Sequence, residues 1–60
     1  AAAQYQLAVH SDPTNAKAWN NLINIYREAK DFDQARKTLA KAEAAGVVIQ
    51  PKLKQSVLEG

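Results

Sequence analysis

Apolar residues recur at spacings of three and four along most of this chain, the period of one buried helical face. Ala1, Tyr5, Ala8 and Val9 share such a face, which predicts a helix from about Ala2 to His10. Asp12-Pro13 ends it, because the residue before a proline is pushed out of helical geometry. Trp19, Leu22, Ile23, Tyr26 and Ala29 trace a second stripe over Asn15 to Ala29, and Ile25 widens it. A helix this apolar is expected to lie between neighbours rather than on a surface. Thr14 or Asn15 can supply its N-cap, since a short side-chain oxygen there accepts from an orphan N–H.

A third stripe, Phe32, Ala35, Leu39 and Ala42, predicts a helix from Phe32 to Ala45. Asp31 with Gln34 resembles a capping box at its start, and Gly46 suits a left-handed cap at its end. Lys37 and Lys41 fall on the outer face, with Asp33 one turn before Lys37 for a weak pair. Pro51 opens a last helix to about Leu58, with Leu53, Val57 and Leu58 as its apolar residues. The pattern predicts an all-α chain of about four helices.

Part of the pattern repeats. Ala1, Tyr5 and Ala8 reappear 34 residues later as Ala35, Leu39 and Ala42. Trp19 maps by the same offset onto Leu53, and Ile23 onto Val57. A fixed offset of this size marks stacked helix pairs, each too small to bury its apolar face alone.

Within the repeat stand Trp19, Leu22, Ile23 and Tyr26, then Ala35, Leu39 and Ala42. This series resembles the tetratricopeptide repeat, whose pattern is Trp, Leu-Gly and Tyr followed by Ala and an aromatic. The link Asp12-Pro13-Thr14-Asn15-Ala16 resembles the family's junction between repeats, and Asp31 to Ala35 its turn between paired helices. The resemblance implies antiparallel helix-turn-helix units of an α-solenoid. Residues 1–13 would be the second helix of a preceding repeat, 14–49 one full repeat, and 50–60 a capping helix. Three positions depart from the pattern. Ile23 replaces the small Gly, which implies slightly wider helix spacing. Lys30 replaces the turn Gly, and the proline expected at Val47 arrives only at Pro51.

Function follows the same resemblance. Family arrays line a concave groove with the first helix of each pair, here Asn15 to Ala29. Its residues outside the core are Lys17, Asn20, Asn21, Asn24, Arg27 and Glu28, the candidate partner-binding set. Asn20, Asn21 and Asn24 crowd three asparagines into five residues, although Asn is a poor helix former. An amide carries both donor and acceptor, so it can pair with the backbone of an extended peptide. Asn21 falls where family members often grip peptide, and Lys17 and Asn24 where some hold a C-terminal carboxylate. Trp19, Tyr26 and Phe32 read as core.

Composition narrows the alternatives. The 60 residues carry 8 basic and 6 acidic groups, a net charge of +2 with the signs interspersed. That is a mild field for nucleic acid. Even so, Trp19 to Tyr26 also resembles the opening of a pentatricopeptide repeat, an RNA-reading relative, with Gly46-Val47 at its end. That reading would turn Asn21 toward a base; the late Pro51 counts against it. There is no cysteine, and His10 is the only histidine. A metal site or a nucleophile–base pair is therefore not expected, nor a cofactor, nor enzymatic activity. No apolar run exceeds three residues, as in Val47-Val48-Ile49, so no membrane span or signal peptide is expected. The missing initiator Met hints at a chain cut from something longer, or processed. The first helix lacks a pairing helix, so Tyr5 and Val9 are expected to face solvent. That exposed face of helix 1–11 would invite self-association.

Overall fold

The computed structural model describes residues 2–59, in which four helices follow one another: α1 (Ala2–Ser11), α2 (Ala16–Glu28), α3 (Phe32–Ala44) and α4 (Pro51–Glu59). Each boundary lies within a residue of the one read from the pattern.

Side chains next to the helices fix these limits. Asp12 Oδ1 accepts from the Thr14 hydroxyl (2.7 Å) and the Thr14 N–H (3.2 Å), closing the turn after α1. Asn15, not Thr14, caps α2, its Oδ1 accepting from Ala18 N–H. Asp31 caps α3 through Gln34 N–H. Both α2 and α3 end in a left-handed residue, Lys30 (φ 61°) and Gly46 (φ 81°). After α2, Lys30 N–H donates to Arg27 C=O and Asp31 N–H to Tyr26 C=O. After α3, Gly46 N–H donates to Glu43 C=O and Val47 N–H to Ala42 C=O. These are two Schellman endings, which satisfy carbonyls the helix itself leaves unpaired.

Helix α2 is the centre of the molecule, packing against α1, α3 and α4, while α1 packs against α2 alone. The core joins Trp19, Leu22 and Ile23 of α2 to Ala35, Leu39 and Ala42 of α3 and to Leu53 and Val57 of α4. Val47 and Ile49, in the link between α3 and α4, complete it. Ile23, Ala35, Ala42 and Val57 have no exposed surface. Ile23 is thus taken wholly into the core that Ala35 and Ala42 of α3 share. The Trp19 indole N–H, which burial would otherwise strand, donates to Pro13 C=O at 2.7 Å.

Several expectations need correction. Val9 is buried, only 7% exposed, and Tyr5 is half-buried, because α1 lays both on α2. The large apolar side chain that α1 does expose is Leu7, at 68%. Ala1 lies outside the described residues. Phe32, at the first position of α3, is only half-buried, and Ala29, the C-cap of α2, is exposed. Leu58 faces solvent at 58%. Asp33 pairs with Arg36 instead of Lys37, the shorter step of three residues serving the pair.

Candidate functional site

Helices α2 and α4 lie side by side and leave an open cleft between them, about 340 Å³, lined by Asn20, Asn21, Asn24, Arg27, Gln50, Lys52 and Leu53. Asn20, Asn24 and Arg27 follow one another at steps of four and three residues, and Asn21 stands three before Asn24. That spacing sets all four on one side of α2. Lys17 and Glu28 are exposed but do not line the cleft. The structure therefore brings together four of the six residues singled out in the sequence.

The four are differently engaged. Asn20 Oδ1 accepts from the Gln50 N–H at 2.9 Å, and its Nδ2 donates to Ala16 C=O at 2.8 Å. This amide is occupied by the chain's own backbone. It ties the start of α4 to α2. Arg27 donates to Asn24 Oδ1 and, more weakly, to the Ser56 hydroxyl of α4 at 3.4 Å. Its Nε is buried with no acceptor among the described residues. For Asn21 the structure gives no hydrogen-bond partner among the described residues, and its side chain is half-buried at the cleft.

Gln50, Lys52 and Leu53 were not singled out beforehand. A signal for them existed: the offset that maps Trp19 onto Leu53 places α4 beside α2 as the next helix of its kind. The residues flanking Leu53 then belong to the same groove.

A second cleft opens between α1 and α3, over Trp19, Leu22 and Tyr26 of α2. His10 stands at its edge. Among the described residues no group of three His, Cys, Asp or Glu side chains could hold a metal. No described helix is long and apolar enough to cross a membrane.

A family model for the tetratricopeptide repeat matches residues 1–50. No curated protein and no solved structure matches the chain significantly. The match takes in α1, α2, α3 and the link up to α4, and the motif residues Trp19, Leu22, Ala35, Leu39 and Ala42 are buried together in the core. The chain belongs to the tetratricopeptide-repeat family, whose repeats generally mediate protein–protein interaction.

Proposed function

We propose that this chain is an interaction module that holds an extended peptide or a partner helix in the cleft between α2 and α4. The observation that carries this reading is the lining itself. Asn21, Asn24, Arg27 and Lys52, from two neighbouring helices, border one open cleft, with Leu53 as an apolar contact. Polar groups that can pair with a main chain, beside a small apolar contact, suit a peptide held by its backbone. Asn20 has a supporting part, because its amide is already paired. Lys17 and Glu28 would meet only a ligand long enough to leave the cleft.

We also propose the division into a preceding half-repeat, one full repeat and a capping helix. The family match ending at residue 50, just before α4, supports it.

RNA is the poorer fit. The chain has one Trp, two Tyr and one Phe, and none of them lines this cleft. Single-stranded RNA is usually held by bases stacked on aromatic rings. Self-association is a second reading, supported by the exposure of Leu7 on α1, a helix with no Asp, Glu, Lys or Arg.

Selection from a random-peptide library on the immobilised chain tests the main reading. A selected peptide, remeasured by calorimetry, should bind the double variant Asn21→Ala, Asn24→Ala at least about tenfold more weakly, the loss of one or two hydrogen bonds. It should bind Leu7→Lys unchanged. Equal binding to the asparagine variant would move the site elsewhere. Sedimentation over a wide concentration range tests the second reading: a monomer throughout removes it.

A further inference from the structure

We propose that Ser56 is a phosphorylation site for a serine kinase that selects an acidic residue three places after its target, and that Arg27 holds the phosphate and fastens α4 to α2. The site draws only on contacts between these two helices. It stands whether or not a peptide docks in the cleft beside them.

The sequence singles out this hydroxyl. The serines and threonines of the chain are Ser11, Thr14, Thr38 and Ser56. Three places after them stand Thr14, Lys17, Lys41 and Glu59, so Ser56 alone is followed by an acid at that distance. A kinase with a basic pocket beside its catalytic centre reads such a carboxylate, and Glu59 is exposed. Thr38 is buried, whereas Ser56 is half-buried and borders an open cleft with Phe32, Lys52 and Glu59. Kinases take their targets in extended form, so the last turn of α4 has to open. Helix α4 has 9 residues, of which Leu53 and Val57 are buried, and so short a helix opens well below the free energy of global unfolding. In the transfer Ser56 Oγ bonds to the γ-phosphorus of a nucleoside triphosphate. The bond from that phosphorus to its bridging oxygen breaks, the diphosphate leaves, and the hydroxyl proton passes to the kinase's base.

The structure shows what would meet the phosphate. Arg27 Nη1 donates to Ser56 Oγ at 3.4 Å, a long bond. Arg27 Nε is buried with no acceptor among the described residues. Neither ion pair among the described residues includes Arg27 or Lys52, and Lys52 stands one turn before Ser56 on α4. A half-buried guanidinium with one long bond and one unpaired N–H has donors to spare. Phosphoserine brings a charge of about −2 and several acceptor oxygens, and a guanidinium grips phosphate through two N–H groups at once.

Two effects oppose this. A phosphate in the last turn of α4 meets the negative end of the helix and stands one turn from Glu59. Both act near the surface, where water and salt screen them, and each is weaker than a charge-assisted bond to a half-buried arginine. Closure therefore wins. Phosphorylation fixes α4 as a wall of the cleft and takes up Arg27, one of the cations that lines it.

The 60-residue chain is short enough to be synthesised with phosphoserine in place of Ser56. Its folding constant should exceed that of the unmodified chain at least about tenfold, the worth of a charge-assisted hydrogen bond. The α4 amides should exchange more slowly. In Arg27→Gln the same phosphate should give no gain, because only the helix end and Glu59 then act on it. Phosphorus NMR supplies a readout that needs no variant. The second ionisation of the phosphate should lie below its value in the same chain unfolded in urea, because Arg27 favours the dianion. The added stability should be full above the unfolded value and shrink as pH falls through the lowered one. An unchanged or raised ionisation, or a phosphorylated chain no more stable than the unmodified one, overturns the Arg27 latch. For the modification itself, the intact chain is incubated with adenosine triphosphate and an acid-directed serine kinase, and the phosphate is located by mass spectrometry. It should appear on Ser56 before Ser11, Thr14 or Thr38, and Glu59→Gln should slow it at least about tenfold. Phosphate placed first on another hydroxyl, or none at all, overturns the site.

Discussion

Lys30 holds a φ of 61° at the turn after α2, where the repeat pattern has glycine. A side chain in the left-handed region crowds its own backbone, at a cost of roughly 1–2 kcal/mol. The structure accepts that cost because the Schellman bonds from Lys30 and Asp31 to Arg27 and Tyr26 require the reversed backbone. Lys30 is exposed, and neither ion pair among the described residues involves it. Lys30→Gly therefore removes strain without removing a contact. The larger freedom of glycine in the unfolded chain takes back part of the gain. A net stabilisation of about 0.5–1 kcal/mol is expected, read as a higher urea midpoint with an unchanged slope. A lower midpoint would show that the Lys30 side chain contributes something the turn geometry does not reveal. Gly46 is the converse case: its φ of 81° is native to glycine, and Gly46→Ala should destabilise by about 1 kcal/mol.

Helix α4 is held at its start by Asn20, and below by Leu53 and Val57 in the core. Asn20→Ala would leave the Gln50 N–H without its side-chain acceptor. Because Gln50 is exposed, water can replace part of the bond. The expected loss is about 1 kcal/mol, concentrated in α4, whose amides should exchange faster while those of α3 change little. If α3 and α4 lost protection equally, Asn20 would be supporting the whole fold rather than the junction. Helix limits were readable in the sequence because Pro13, Asn15, Asp31, Gly46 and Pro51 act locally, through backbone geometry and capping. So was the stripe from Trp19 to Tyr26. The side of the groove supplied by α4 was less readable. Which of Gln50, Lys52 and Lys54 faces α2 depends on the packing of Leu53 and Val57, and Lys54 in fact turns to Glu43 of α3. Nor could spacing separate Asn20, which bonds to Gln50, from Asn21 and Asn24: the bond joins residues 30 apart. The expected exposure of Val9 failed for the same reason. The roll of α1 on α2 is set by contact, not by the period of the helix.

Across the whole molecule, contacts run between neighbours, with α2 shared by all. In such a chain stability is a sum of intrinsic helix terms and interfaces, so a helix with one interface is the first to open. That helix is α1. Its buried contribution is Val9, with Ala2, Tyr5 and Ala8 partly covered, and it contains no ion pair among the described residues. Its ten residues are also too few to be helical alone, since isolated helices shorter than about 12–15 residues are marginal in water. Helix α1 should therefore fray from α2 while α2 and α3 stay closed. Hydrogen exchange should show its amides opening at a free energy at least about 1–2 kcal/mol below that of the α2 amides. Val9→Ala should lower α1 protection further, with a smaller effect on α3. The distinction matters for function, because the proposed cleft lies between α2 and α4, away from α1. Opening of α1 would uncover Trp19, Leu22 and Tyr26 at the other cleft and leave Asn24, Arg27 and Lys52 in place. If α1 and α2 instead exchanged at one common free energy, the four helices would form a single cooperative unit. Binding at the α2–α4 cleft would then be lost with any destabilisation of α1.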